Sequence, residues 1–295
     1  MKLLRAATLT TPDVAAAQAR YAEWLDYALA EDGQISDDLA ASWGTPASSG
    51  RPYAVMRPAS GADVFLRFVE GETPADYQPL RTFGWAAIEI CVQDTLKVAE
   101  RMGRSPFEII GPPKELDGLP AIFPMQVKGP DQEIVYLTQI RSDLPAYDLP
   151  RAQSLIDKLF ILVLACSDMD ASMRWFDATL GIGAGREMEI VYSMLNQAFA
   201  LPADTRHRLA TGIHGRDCFL EFDQYPDEAT LRPGRQDALK PGVALVTLSH
   251  PSIDSLSGPW ITPPKVREGP VYGGRRAGTL RAPDGTLVEI VELAR

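Results

Sequence analysis

The chain has 295 residues, 45% of them hydrophobic and 23% charged, with a formal net charge of −10. Such a length suits one large or two ordinary domains of ~100–200 residues, and the composition excludes a disordered or collagen-like chain. Acidic balance without a dense Lys/Arg run excludes nucleic-acid and anionic-membrane partners as expectations, and no stretch nears the ~20 apolar residues of a membrane span.

In chain order, residues 4–13 read as a short apolar strand running into Asp13, followed by a helical pattern. Asp suits that place because its carboxylate accepts the orphan N–H bonds of a helix start. A polar, turn-rich insertion follows at Trp43-Gly-Thr-Pro46 and Gly50-Arg-Pro-Tyr53, and residues 64–69 form a closing strand. The same order recurs at residues 85–94, where Leu96, Val98, Ala99 and Met102 give helical spacing after Asp94, and residues 132–140 close the unit. Residues 141–157 carry Pro145 and Pro150 in a loose polar composition and read as a linker. A third start, residues 160–168, leads into a helix that Gly181-Ile-Gly-Ala-Gly185 ends; these glycines read as a helix stop, not a phosphate loop. Residues 217–223 close it. The fourth start, residues 243–254, has a short or degenerate helix before Pro259, and residues 286–293 close the chain.

These units repeat. Asp13-Val-Ala-Ala corresponds to Asp168-Met-Asp-Ala, and residues 61–68 to residues 215–222. Likewise Ile110-Gly-Pro-Pro-Lys114 corresponds to Ile261-Thr-Pro-Pro-Lys265, and Pro130-Asp131 to Pro283-Asp284. Ordered matches at an offset of about 155 residues mark a duplication. The fold class is α+β: two tandem domains, residues 1–141 and 158–295 joined by a 142–157 linker, each a pair of β-α-β-β-β modules.

The strand–Asp–helix starts and the module ends, Gly129-Pro-Asp-Gln-Glu-Ile-Val-Tyr-Leu and Ala282-Pro-Asp-Gly-Thr-Leu-Val-Glu-Ile, resemble the vicinal oxygen chelate superfamily of glyoxalase I, bleomycin-resistance proteins and extradiol dioxygenases. That resemblance implies mixed sheets curled into cups, with metal ligands on the first and last strands of metal-dependent members. The corresponding first-strand positions are Ala6, Ala87, Ile161 and Ala244; the last-strand ones are Arg67, Tyr136, Glu221 and Glu289. With only two carboxylates there, and about three protein ligands needed by a catalytic divalent ion, no metal and no cofactor are expected.

Strand alternation, with modules one and two sharing a cup, puts Trp85, Ala87, Glu89 and Cys91 on the concave face, with Thr8, Phe65, Arg67, Tyr136 and Thr138 opposite or beside them. The expected site is Glu89 as acid or base, Tyr136 as donor, Arg67 as anion clamp, and Trp85, Phe65 and Thr8 as binding residues. The alternative is an Arg67–Glu89 ion pair that only fills the cup. Cys91 reads as buried filler. Secondary candidates are Glu221 and Glu289 in the second cup and His250 at a strand end; His207 and His214 lie in loop-like sequence. Three readings stay open: a metal-independent lyase or isomerase acting on a small aromatic or carboxylate-bearing molecule, a binder that sequesters a drug or metabolite, and a metal-dependent extradiol-type dioxygenase. A small-molecule partner is expected, and a homodimer is left open. The three cysteines without a CxxC, and an N-terminus unlike a signal peptide, fit the cytoplasm.

Overall fold

The computed structural model describes residues 2–116, 118–256 and 258–293. Four β-α-β-β-β modules follow one another. The first holds β1 (Leu4–Thr11), α1 (Val14–Leu25), β2 (Tyr27–Gln34), β3 (Pro52–Pro58) and β4 (Phe65–Glu70), with a short helix α2 (Asp37–Ser42) in the insertion. Next come β5 (Gly84–Val92), α3 (Thr95–Met102), β6 (Glu108–Gly111), β7 (Ile122–Lys128) and β8 (Ile134–Ile140). The third module is β9 (Ile156–Cys166), α4 (Met169–Leu180), β10 (Gly183–Val191), a short α5 (Ser193–Ala198), β11 (Arg206–His214) and β12 (Asp217–Gln224). The fourth is β13 (Val243–His250), β14 (Lys265–Arg267), β15 (Arg275–Arg281) and β16 (Leu287–Glu292), with a 3₁₀ turn, Ile253–Ser255, in the helix position.

Helix starts follow the sequence logic. Asp13 accepts from Ala16 N–H at 2.9 Å, Asp94 from Leu96 and Lys97 N–H at 3.1 Å each, and Asp168 from Ala171 N–H at 2.8 Å. Helix α4 ends where Gly181 takes the left-handed conformation, φ 64°, and Gly181 N–H donates to Asp177 O at 2.9 Å.

In every module the first and last strands are parallel neighbours: β1 with β4, β5 with β8, β9 with β12, and β13 with β16. Two first strands then pair antiparallel and join two modules into one eight-stranded sheet. The partners are not the sequence neighbours that the repeat suggested. β5 pairs with β9, giving an inner sheet of modules two and three, and β1 pairs with β13, giving an outer sheet of modules one and four. All first strands expose the same kind of edge, so local sequence does not choose between partners.

Helices lie between the sheets. Tyr21 of α1, Val98 of α3 and Phe176 of α4 share one core with Leu9, Phe68 and Val246 of the outer sheet and Ile88, Leu162 and Phe222 of the inner. Tyr21 stacks on Phe68 with ring centroids 4.5 Å apart, and Phe176 meets Phe222 edge-on at 5.2 Å. Each sheet therefore turns the face away from α1, α3 and α4 outward as a cup. Among the described residues, no helix is long and apolar enough to cross a membrane.

Candidate functional site

The inner cup opens on a cavity of about 350 Å³. Glu89 of β5, Tyr136 of β8 and Glu221 of β12 line it together with Tyr192, from the turn between β10 and α5. Glu89 lies in register with Tyr136 on the parallel neighbour β8, and with Ile161 on β9. Glu221 lies in register with Val163 of β9 and Thr211 of β11. Phe160, Ile161, Met188, Ile190 and Leu209 make the walls apolar.

The polar groups form a directed chain. Tyr192 Oη donates to Glu221 Oε1 at 3.3 Å, which uses its one proton. The 2.5 Å contact between the two phenol oxygens must then be donated by Tyr136. Asp223 follows Glu221 on the same strand face and is 2% exposed.

Burial without a counter-ion sets the protonation states. Glu89 is pushed up to about 8, mainly by desolvation and further by the Glu221 charge. Desolvation also raises Asp223 well above the usual carboxylate range, with the Glu221 charge adding to it. Glu221 is raised by burial too, but less, because the Tyr192 phenol donates to it and favours its charged form. At neutral pH the cup therefore holds Glu89 as a neutral acid, and the Glu221–Asp223 pair carries the charge on the Glu221 side. The phenols of Tyr136 and Tyr192 are raised by burial and stay protonated.

The stretch expected to be a linker crosses the mouth of this cup. Leu144, Pro145, Ala146, Tyr147 and Leu149 line the cavity. Asp148 N–H donates to Arg216 O at 2.8 Å, the Arg216 guanidinium returns a 2.8 Å bond to Asp148 Oδ1, and Tyr147 Oη accepts from Arg186 N–H at 2.9 Å. Leu116 and Leu119 also line the cavity.

The structure separates the expected site residues. Arg67, Thr8 and Phe65 belong to the outer sheet, so Arg67 does not face Glu89 and no Arg67–Glu89 pair exists. Arg67 instead bonds Glu289 at 3.2 Å, Thr8 Oγ1 at 3.0 Å and Tyr272 Oη at 2.7 Å. Glu289 also accepts from Trp43 Nε1 at 2.8 Å, Thr247 Oγ1 at 2.8 Å and Tyr272 Oη at 2.9 Å. Trp43, delivered by the insertion, lies 4.5 Å from the Arg67 guanidinium, and a cavity of about 330 Å³ lined by Arg67, Tyr53 and Tyr272 remains in this cup. Phe65 stacks under Arg5 at 5.1 Å. Trp85 leaves the concave face altogether. A register shift between Trp85 and Ala87 against β9 adds a residue and reverses the alternation, so its ring packs on Phe176 and its Nε1 donates to Leu287 O at 3.0 Å. His250 ends β13 in the outer sheet, its Nδ1 2.8 Å from Ser252 O and 3.2 Å from Ser252 N. Cys91 is buried and free, as are Cys166 and Cys218.

No protein-family model matches the sequence, and no curated protein matches it. Solved structures do match over the whole chain. Glyoxalase I from Zea mays superposes with a TM-score of 0.65 at 16% identity, covering 99% of this chain and 92% of that one. A putative dioxygenase from Bacillus subtilis gives 0.63 at 11% identity, covering 98% and 84%. The chain has the glyoxalase–dioxygenase fold. At such identities the likeness concerns the fold alone.

The metal positions of that fold can be tested against the residues present. The inner cup offers Ala87, Ile161, Tyr136 and Glu221 there, and the outer offers Ala6, Ala244, Arg67 and Glu289. In the outer cup Glu289 already accepts bonds from four side chains, one of them a guanidinium. In the inner cup one carboxylate faces a phenol and two apolar side chains. Among the described residues, no three His, Cys, Asp or Glu side chains group to hold a metal ion. A site needing about three protein ligands does not fit either donor set.

Sequence reasoning missed Tyr192, Asp223 and the strap. Asp223 had a signal, since it shares strand parity with Glu221. Tyr192 had none, because its place depends on how the β10–α5 turn folds over the cup.

Proposed function

We propose that the inner cup binds a small, neutral, apolar organic molecule and moves a proton on it, as an isomerase or lyase does, without a metal. The observation that supports this reading is one apolar cavity facing two carboxyl groups of unequal protonation, one of them wired to a pair of phenols. A charged Glu221 can take a proton from carbon or oxygen, while neutral Glu89 gives one to an atom across the cavity. The Tyr136–Tyr192 chain adjusts to the proton that Glu221 takes without opening the cup to water. A neutral substrate is preferred because Arg67 stands in the other sheet, and the one cation lining the cavity, Arg186, is at its exposed mouth. The volume falls at the small end of the roughly 300–1,000 Å³ range of ligand sites.

The test is carbon-acid exchange. The protein is incubated in D2O with a panel of apolar ketones and aldehydes, and loss of α-C–H signal is followed by NMR. Protein-dependent exchange that Glu221→Gln slows by about 10²–10⁴-fold is expected. The mainly aliphatic walls favour a second reading, a binder that sequesters its ligand. Saturable binding in the cup with no exchange for any compound supports that reading and removes the first.

A further inference from the structure

A second cavity, about 670 Å³, lies where the inner and outer sheets meet. It is bounded by the start of β5, the start of β13, the β15–β16 turn and the loop joining β12 to β13. Its chemistry is the reverse of the inner cup. Arg232, Lys240 and Arg281 all line it, and among the described residues none of the three has an ion-pair partner. In a chain of net charge −10, three unpaired cations on one cavity need a reason.

Arg232 is held in place by backbone carbonyls. It donates to Trp85 O and Val243 O at 2.7 Å each, so it ties the first strand of one sheet to that of the other while its charge stays unmatched. Lys240 donates to Gly234 O at 2.6 Å and is lowered by its burial and by the Arg232 charge, as expected of a cation beside a cation. Arg281 donates to Gly285 O at 3.2 Å. The one acid lining the cavity, Asp284, is engaged elsewhere: its carboxylate accepts from Ser167 N–H at 3.0 Å and Ser167 Oγ at 2.6 Å.

We infer that this cavity is a second binding site, for a small organic phosphate. The cations supply the charge and N–H donors to a tetrahedral group of acceptor oxygens. Phe83 gives the organic part an apolar wall. The volume exceeds what a bare phosphate ion fills.

Phenyl phosphate is the probe, titrated by calorimetry at fixed ionic strength, with phenol and inorganic phosphate alongside. The expected result is a Kd below about 1 mM for phenyl phosphate, weaker binding of inorganic phosphate, none of phenol, and affinity that falls with added salt. Lys240→Met and Arg281→Met should each weaken binding about tenfold or more. Arg232 is left alone, since its loss would loosen both strands. Absence of binding, or equal affinity in both variants and the parent, overturns the inference.

Discussion

Replacing Glu89 by Gln should make the protein more stable, and increasingly so as pH rises. Glu89 is 6% exposed, and its carboxyl holds its proton up to about pH 8 instead of the ordinary 4.5. Above 4.5 the unfolded chain releases that proton while the folded chain retains it, so each further pH unit disfavours folding by about 1.4 kcal/mol. The penalty is absent below pH 4.5, reaches about 3 kcal/mol at pH 7, and levels off near 5 kcal/mol above pH 8. Glutamine has the same shape and no proton to lose. Thermal unfolding of parent and variant at pH 5, 7 and 8.5 is the assay. The two should melt together at pH 5, and the variant should melt roughly 5–10 °C higher at pH 7, with a wider gap at pH 8.5. The same variant should lose proton transfer by about 10²–10⁴-fold, because an amide cannot pass the proton on. A gap in melting temperature independent of pH would refute the idea that Glu89 is kept neutral by burial.

Exchange or turnover in the inner cup should follow a bell-shaped pH profile, rising as the Glu221–Asp223 pair loses its proton near 6 and falling as Glu89 loses its own near 8; a profile flat from pH 5 to 9 would count against both roles. Tyr192→Phe removes a donor that favours the charged form of Glu221, so the acid limb should move up by about one pH unit, read from the same profile. Arg67→Leu should destabilise by about 3–5 kcal/mol in denaturant titration, since it leaves Glu289 buried without its cation, yet leave exchange in the inner cup unchanged. If Arg67→Leu selectively abolished exchange, the separation of the two cups would be wrong.

How much of this was legible in the sequence divides along local and non-local lines. The Asp caps at 13, 94 and 168 and the Gly181 stop were legible because a cap and its partners lie within one helical turn. The weak fourth helix was equally local, and it is a single 3₁₀ turn. Repeats gave the four modules. Which modules share a cup was not legible, because the choice between β5–β9 and β1–β5 pairing depends on contacts far apart in sequence. That one misreading carried Arg67 into the wrong site, while Glu221 and Glu289, grouped as a pair, fall in different cups. Trp85 failed for a smaller reason. A single extra residue in β5 reverses the faces upstream of Ala87, and no residue type announces it. The strap was invisible because prolines and polar residues read as a spacer whether or not they lie over a cavity.

The pairing of modules two with three and one with four has a further consequence for how the chain comes into being. Residues 84–224 are an uninterrupted stretch that builds the inner sheet, set like an insert between 4–70 and 243–292, which build the outer one. During synthesis the insert can finish folding while the outer sheet still waits for its last strands, so the cup with the acid pair precedes the cup that holds Arg67 and Glu289. Closing the outer sheet joins β1 to β13 across the whole insert, a long loop whose closure entropy is reduced once the insert is compact. Cutting the chain in the strap would therefore leave two fragments, each holding half of both sheets, whereas excising 84–224 would remove a complete one.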